Sequence, residues 1–160
     1  MVERMGLASS MVTILLVLLV VIDVASRYLF NHTRTWMLEL EWHLFGLIFL
    51  LGAAQAYRQD KHIRVDVLYQ NFSPKTKAII NLLGNVFLLI PWCIIATIHS
   101  FKYAYVSFSL LEGSPDPGGL AGRFIIKFSI FLCFVLLIIE SIQRIRNDLS
   151  FLKKQSRTTQ

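Results

Sequence analysis

Residues 41–66 read EWHLFGLIFLLGAAQAYRQDKHIRVD, an apolar run that ends abruptly in a cluster of charged side chains. The apolar part is long enough for a membrane helix, which needs roughly 20 residues to cross about 30 Å of hydrocarbon. Basic residues follow it at once and include Arg58, Lys61 and Arg64. Side chains of this kind hold a helix end at the membrane surface, where they meet water and lipid headgroups. The stretch therefore predicts a membrane-spanning helix followed by a basic loop.

Three further apolar runs accompany this one. The predicted spans are at about 5–28, 37–57, 78–100 and 124–145, with a polar tail at 147–160. The chain is 55% hydrophobic and 16% charged, and a soluble domain of 160 residues has too much surface to hide such a composition. The first run could also act as a signal peptide, but its length and the three later spans favour an uncleaved helix. We expect an all-α integral membrane protein with one four-helix domain over residues 1–160.

The distribution of Lys and Arg predicts the orientation. With four spans, eleven of these residues lie on the side of both termini and of the loop after residue 57, and five lie on the other. The positive-inside rule places the basic side, and with it both termini, in the cytoplasm. The net charge of +6 then fits lipid headgroups. Nothing resembling a zinc finger or a basic helix supports nucleic-acid binding, so we expect no nucleic-acid partner.

Local signals predict how the spans are joined. Ser73 followed by Pro74 is typical of an N-cap and first helical position, and Pro91 predicts a kink inside the third span. GSPDPGG, residues 113–119, predicts a break before the fourth span. Helical spacing in the basic loop indicates a short amphipathic helix lying in the cytoplasmic interface, carried by Val65, Leu68, Tyr69 and Phe72.

Polar residues inside the spans are candidates for function, because an unpaired charge in a membrane is costly. Asp23 precedes Arg27 by four residues, and Glu140 precedes Arg144 likewise, so we expect two local ion pairs. Span two carries a stripe at helical spacing beside small residues, and span three carries a matching stripe. We interpret both as protein-contact faces, with the two asparagines forming interhelical hydrogen bonds. The stripes are Glu39, His43, Gly46, Leu50, Ala53 and Tyr57, beside Gly52 and Ala56, and Asn81, Asn85, Leu88, Trp92, Ile95 and His99.

The sequence offers little for catalysis. It contains no HExxH motif and no recognisable Ser-His-Asp or Cys-His arrangement, and Cys93 and Cys133 lie within apolar runs. We therefore expect no enzyme activity, no catalytic, substrate-binding or metal site, and no cofactor. One alternative stays open, because His43 and His99 both lie near the same membrane surface. Two such imidazoles could ligate a b-type haem in a small electron-transfer subunit.

Four motifs in fixed order resemble the small membrane subunit of TRAP transporters, the DctQ-like family. The family pattern is Arg-Tyr-x-Phe-Asn, then Trp-x-x-Glu, then Gly-Ala-x-x-Ala, then Arg-x-x-x-His-Ile-x-Val-Asp. It is matched here by Arg27, Tyr28, Phe30 and Asn31; Trp36 and Glu39; Gly52, Ala53 and Ala56; and Arg58, His62, Ile63, Val65 and Asp66. The segment DPGGLAGRFIIK resembles a variant outer loop found in part of the family.

The resemblance implies a tripartite importer in the bacterial inner membrane. A periplasmic binding protein delivers an organic acid to a large DctM-like subunit, whose elevator-type domain is usually driven by a sodium gradient. The small subunit is implied to be a scaffold and anchor that holds neither substrate nor sodium.

Three groups of site residues follow from this resemblance and from the contact faces. A subunit interface or structural signature is expected at Arg27, Tyr28, Asn31, Trp36, Glu39, Gly52, Ala53, Ala56, Asn81 and Asn85. Lipid or topology anchors are expected at Arg58, Lys61, His62, Arg64 and Asp66. A docking surface for the binding protein is expected around Tyr105, Phe108, Asp116 and Arg123. We also expect Arg27 to meet Glu39 across the short connection between spans one and two.

Overall fold

The computed structural model describes residues 2–31, 33–59, 69 and 71–158, and in these residues it contains helices, turns and loops but no strand. Helix α1 is Val2–Phe30 and α2 is Thr35–Arg58. The third span is continuous: α3, Pro74–Gly84, leads through a π-helical turn, Asn85–Leu89, into α4, Ile90–Ser109. Helix α5 is Phe124–Thr158. Four helical segments are long and apolar enough to cross a membrane, which confirms the predicted all-α class with four spans.

Two helices run further than the sequence predicts. The third span continues to Ser109, and α5 continues to Thr158, so the described part of the polar tail is helical. The tail is rich in Arg, Lys and Leu, which are good helix formers. The guanidinium of Arg144 also lies 3.9 Å from Asp148, one turn further along α5. The amphipathic helix predicted from Val65 to Phe72 lies mostly outside the described residues.

Local sequence explains where the helices start and stop. Ser73 caps α3 by accepting a hydrogen bond from the backbone N–H of Thr76 at 3.2 Å, and Pro74 follows at the first helical position. The end of α1 is marked by Asn31, whose φ of 51° is left-handed. Asn is one of the few residues that adopts this conformation readily. Leu111 has a φ of 46° just beyond α4, where the chain leaves the helix.

The helices pack in the order α1, α2, α5, then α3 with α4. Helix α5 lies between α2 and the third span, and Ala54 of α2 and Leu136 of α5 are fully buried in this seam. Helix α1 packs against α2, where the hydroxyl of Ser9 donates to the carbonyl of Ile48 at 3.0 Å. A Cβ added to Gly52 would lie 3.5 Å from that hydroxyl, so this glycine marks a close approach of the two helices.

The third span changes its buried face at the π-helical turn. Asn85 is buried at the turn, and beyond it the buried residues are Cys93, Ser100, Ala104 and Ser107. Cys93 follows Asn85 by eight residues, whereas two α-helical turns need about seven. The extra residue is accommodated by a bond from the N–H of Ile90 to the carbonyl of Asn85, directly before Pro91, which has no N–H.

The stripe predicted on span three is therefore not one face. Asn85 turns into the bundle, whereas Leu88, Trp92 and Ile95 are 73%, 64% and 52% exposed. His99, further along the same side, is also exposed. The kink predicted at Pro91 stays a prediction, and the π-helical turn directly before Pro91, which changes the register of the helix, was missed. A constant α-helical period had been assumed across it.

A polar layer joins three helices around Asn85. Its side-chain oxygen accepts hydrogen bonds from the hydroxyl of Tyr57 on α2 and from the hydroxyl of Ser141 on α5, the latter at 3.1 Å. One turn before it, Asn81 accepts from the hydroxyl of Tyr69 at 3.1 Å. Asn85 thus forms the interhelical hydrogen bonds that the sequence predicts, whereas Asn81 bonds to Tyr69 in the segment between α2 and α3. The layer lies at the end of the bundle that contains Arg58, which we call the basic end.

We expect the polar layer to show measurable coupling. In a double-mutant cycle, Tyr57→Phe and Asn85→Leu should couple by about 0.6 kcal/mol, and by no more than about 1.7, the range for interhelical hydrogen bonds in membranes. The measurement is reversible unfolding in mixed micelles. Ser129→Ala provides the control, because that hydroxyl bonds to Ile125 of its own helix at 3.0 Å. A Tyr57–Asn85 coupling no larger than the Tyr57–Ser129 value would contradict the layer.

Candidate functional site

The best-connected side chain in the described part of the chain is the carboxylate of Glu39. It lies in the second turn of α2 and is only 4% exposed. It accepts hydrogen bonds from the hydroxyl of Ser114 at 2.5 Å, the backbone N–H of Leu120 at 2.6 Å and the guanidinium of Arg123 at 2.9 Å. All three partners belong to the loop between α4 and α5, residues 110–123. We call this arrangement the Glu39 anchor and this end of the bundle the loop end.

The loop is folded to fit around the carboxylate. The backbone N–H of Ser114 donates a hydrogen bond to the carbonyl of Leu120 at 2.9 Å, which closes the loop on itself. Gly119 sits inside this closure, and a Cβ there would lie 2.3 Å from the Ser114 hydroxyl and 2.7 Å from a Glu39 oxygen. No real Cβ approaches so closely, so the loop can surround the carboxylate only with glycine at this position.

Arg123 connects the anchor to the surface of α2. Its side chain is 24% exposed, and its guanidinium carbon lies 5.9 Å from the centre of the Trp42 ring. The cation is therefore held between the Glu39 carboxylate and an aromatic face, an arrangement that favours a guanidinium over a lysine ammonium. Because a broken buried ion pair leaves an uncompensated charge, each partner fixes the other in place. The anchor ties α2 to the start of α5.

A second ion pair ties the end of α4 to α5. The ammonium of Lys127 lies 2.5 Å from the Glu112 carboxylate and 4.0 Å from the centre of the Tyr103 ring. The hydrogen bond from Lys127 lowers the pKa of Glu112, which lies in the loop outside the membrane-spanning helices. In addition, the N–H of Arg123 donates to the carbonyl of Glu112 at 3.0 Å, so the two ion pairs share a backbone connection.

Aromatic rings fill the space between α4 and α5 beneath these ion pairs. Phe108 meets Phe124 edge to face with ring centres 5.2 Å apart, and Phe101 lies 5.3 Å from Phe131. Edge-to-face and tilted pairs at these separations are favourable beyond their buried area. The loop end is thus held by charge at its surface and by aromatic contact below it.

The four residues predicted to form a docking surface differ in their exposure and contacts. Arg123 points into the Glu39 anchor, so it is a structural residue of the loop and its guanidinium is already used. Asp116 is exposed on the loop, and Tyr105 and Phe108 remain 57% and 48% exposed on α4. The three of them stay as proposals for a docking surface.

The predicted signature residues near the connection between α1 and α2 have different surroundings. Arg27 pairs with Asp23 on its own helix at 2.6 Å, as the i,i+4 spacing predicts. The expected meeting of Arg27 with Glu39 is corrected, because the Glu39 carboxylate is taken up by Ser114, Leu120 and Arg123. Tyr28 is 80% exposed, and Trp36 is half-buried at the start of α2. Ala53 and Ala56 are half-buried further along that helix.

Of the predicted lipid anchors, Arg58 is the one within the described residues, and it lies at the basic end. Arg58 is exposed at the last residue of α2 and lines a polar cavity of about 130 Å³ with Glu140 and Arg144. Lys61, His62, Arg64 and Asp66 lie outside the described residues. The ion pair predicted between Glu140 and Arg144 is wrong: Glu140 is buried, and Arg144 instead lies 3.9 Å from Asp148, one turn further along α5.

Nothing in the described residues favours the haem alternative. The ring of His43 faces back along α2, where Nδ1 is 2.6 Å from the carbonyl of Glu39 and the ring lies 3.8 Å from that of Trp42. His99 is on α4, which α5 separates from α2. A haem in a bundle needs its two imidazoles on facing helices. The described residues also contain no group of three metal-ligating side chains.

A second cavity, of about 250 Å³, opens between α2 and α5 below the anchor. Its walls are almost entirely aliphatic and comprise Leu40, His43, Leu44, Leu47, Leu120, Ala121, Gly122, Ile125 and Ile126. Both cavities are smaller than the roughly 300–1,000 Å³ typical of small-molecule sites. The residues that line the apolar cavity include His43 but neither Lys nor Arg.

The fold and its polar contacts define a class of protein: a multi-pass helical membrane protein whose buried charges fasten helices together. The comparison with protein families then identifies the family. The profile of the tripartite ATP-independent periplasmic transporters, DctQ component, matches residues 16–151, and the chain belongs to that family. It is the small membrane subunit of a TRAP transporter, and the family works with DctM and DctP components in tripartite complexes. A search of curated proteins finds no match.

Sequence reasoning found Glu39 but not its partners. The partners are a serine, a backbone N–H and an arginine at least 75 residues away in the chain, and no local spacing rule relates them. One signal was present: Glu39 begins an apolar span, and Arg123 ends a loop immediately before another span. Opposite charges at the same membrane level are candidates for pairing.

The glycine inside the anchor gives a direct test. Gly119→Ala should lower the free energy of unfolding by about 1–3 kcal/mol, because the added Cβ overlaps Ser114 and Glu39 and the loop must move. Gly113→Ala is the matched control, since a Cβ there is 3.9 Å from its nearest neighbours. Unfolding of both variants in the same detergent provides the measurement. Equal stability of the two variants would show that the loop does not enclose the carboxylate.

The Glu112–Lys127 pair predicts a contribution to acid sensitivity. Because the folded-state pKa of Glu112 is below its ordinary value of 4.5, the pair stabilises the fold above that pH. The contribution is lost as the pH falls through the lowered pKa. We expect Glu112→Gln to reduce the drop in melting temperature between pH 6 and pH 3, whereas Ser109→Ala, which removes no ionisable group and only a hydroxyl bonded within its own helix, should leave the drop unchanged. An unaltered drop in Glu112→Gln would exclude the ion pair.

Proposed function

We propose that this chain is the stationary scaffold of a sodium-coupled, binding-protein-dependent importer of organic acids. The family membership supplies the transporter class and the tripartite arrangement. Sodium coupling and the organic-acid substrate follow from the resemblance to the DctQ-like family. The scaffold role has its own support in the geometry of this chain, and the observation that carries it is the Glu39 anchor.

The anchor resists the motion that transport requires elsewhere. In an elevator mechanism one domain slides along the membrane normal against a part that stays in place. For α2 to slide past α5, Glu39 would have to leave Ser114, Leu120 and Arg123 together, exposing a carboxylate and a guanidinium to hydrocarbon. At the basic end, the Tyr57–Asn85–Ser141 layer opposes the same movement. The Glu39 anchor and the polar layer lie at opposite ends of α2, and together they suit the bundle to a fixed role.

The orientation follows from charge. We place the basic end and both termini in the cytoplasm of a bacterium, because Lys and Arg are concentrated there. The loop end then faces the periplasm. Arg58, with Lys61 and Arg64, would attract anionic headgroups by about 1 kcal/mol each. The exposed Tyr105, Phe108 and Asp116 lie on the periplasmic side, where a soluble binding protein could dock.

Transport itself should require the large subunit. We expect vesicles containing this chain alone to take up no organic acid, and vesicles containing both membrane subunits to do so when the binding protein and a sodium gradient are supplied. Uptake by the small subunit alone would contradict the scaffold role.

A substitution in the Glu39 anchor tests whether the anchor is needed for transport. Glu39→Gln should reduce uptake severalfold in the complete system, because the neutral amide leaves Arg123 without its counter-charge. Asp148→Asn is the control: it also replaces a carboxylate by an amide, but in the polar tail and outside the anchor. Insertion into the membrane is monitored in parallel, so that a loss of protein is not read as a loss of transport. If Glu39→Gln takes up substrate at the wild-type rate, transport does not depend on the anchor.

A further inference from the structure

One face of the third span, from the π-helical turn into α4, carries two polar rings that nothing in the described chain covers. Leu88, Trp92 and Ile95 recur at helical spacing on it and are 73%, 64% and 52% exposed, and His99 continues the row. The buried face of α4 carries Cys93, Ser100, Ala104 and Ser107, and it lies about a third of a turn around the helix from the exposed row. We call the row Leu88, Trp92, Ile95 and His99 the Trp92 face.

Trp92 lies near the middle of the membrane. At about 1.5 Å per residue, it is about 10 Å along the helix from Asn85 of the polar layer and about 15 Å from Lys102. The polar layer and Lys102 lie towards opposite ends of the span, so the indole falls well inside the hydrocarbon, which is about 30 Å thick. Tryptophan is ordinarily concentrated at the two membrane surfaces, where its N–H finds water or a headgroup.

The indole N–H of Trp92 lacks a hydrogen-bond acceptor at this depth. No described residue accepts a hydrogen bond from the Trp92 N–H, and lipid chains offer no acceptor. Two turns further on, the imidazole of His99 is also turned outward. Polar side chains within membrane spans normally face other protein or a water-filled cavity rather than lipid. The Trp92 face therefore has the chemistry of a surface that another protein covers.

Helix α1 offers the opposite case within the same chain. In the described residues its main packing partner is α2, and its outward face is also highly exposed. That face is aliphatic at membrane depth and comprises Met11, Ile14, Leu15, Val17, Leu18, Val21 and Ile22. Lipid chains satisfy such side chains completely, so exposure on α1 requires no partner.

We propose that the Trp92 face is the surface on which the large membrane subunit packs, with a helix that presents a hydrogen-bond acceptor to the indole near mid-membrane. This inference rests on the proposed function, because it takes the partner to be the second membrane component of the same transporter. A second copy of this chain is the poorer fit. Two copies related by a two-fold axis along the membrane normal would place Trp92 against Trp92, and an indole is a donor only.

Photochemical cross-linking in native membranes tests the location. A benzophenone analogue of phenylalanine is placed at position 92, and in parallel at position 18 on α1, in cells that produce all three components. We expect an adduct between this chain and the large subunit from position 92 and none from position 18. An adduct from position 18 alone would overturn the proposal, as would an adduct at position 92 with the mass of two 18.4 kDa chains. Reaction of position 92 with lipid alone would also overturn it.

Substitution of Trp92 tests the chemistry. Trp92→Leu should lower recovery of the large subunit with this chain in detergent at least about tenfold, as for a buried aromatic anchor of an interface. Trp92→Phe, which retains a ring but not the N–H, should lie between Trp92→Leu and wild type. Phe87→Leu is the control, because Phe87 is 69% exposed on the same span but lies outside the row, about 8 Å nearer the basic end. Equal recovery of all three variants with wild type would contradict the proposal.

The outcomes separate this inference from the proposed function. If the wild-type subunits co-purify but position 92 gives no adduct between them, the location is wrong and the scaffold role stands. If the two wild-type subunits do not co-purify at all, the proposed function itself fails.

Discussion

The absence of water from the membrane interior determines this structure. Every polar group that enters the hydrocarbon must find a partner in protein, because lipid offers none. Glu39 illustrates the consequence: its carboxylate collects a hydroxyl, a backbone N–H and a guanidinium from one loop. Those contacts bring the loop back over α2 and determine where α5 begins. A soluble protein could have left the same carboxylate facing solvent.

The two ends of the bundle meet this requirement in different ways. The loop end uses ion pairs, Glu39 with Arg123 and Glu112 with Lys127, supported by aromatic contacts. The basic end uses neutral hydrogen bonds centred on Asn85. Since α5 takes part at both ends, it connects α2 to the third span along most of its length. A bundle fastened in this way is a suitable fixed support for a moving partner, which is the role proposed here.

Particular residues show how far sequence reasoning could reach. The Ser73–Pro74 start of α3 and the Asp23–Arg27 pair depend on residues within one helical turn, and both were predicted. The Glu39 anchor depends on residues in a distant loop, and its partners were missed. The stripe on span three failed for another reason. A π-helical turn at Asn85–Leu89 inserts one residue and turns Asn85 inward while Trp92 faces outward.

By itself the sequence determined the class of protein, the number of spans, the basic and loop ends and the family resemblance. These features depend on apolar run length, on the placement of Lys and Arg, and on motifs that are contiguous in the chain. Only the tertiary structure decided which helices are neighbours, that Arg123 serves Glu39, and which face of α4 is left uncovered. Those outcomes depend on contacts between residues far apart in the chain and on a local change of helical register. Neither the distant partners of Glu39 nor the change of register at Asn85–Leu89 is encoded in the spacing of residues within one helix.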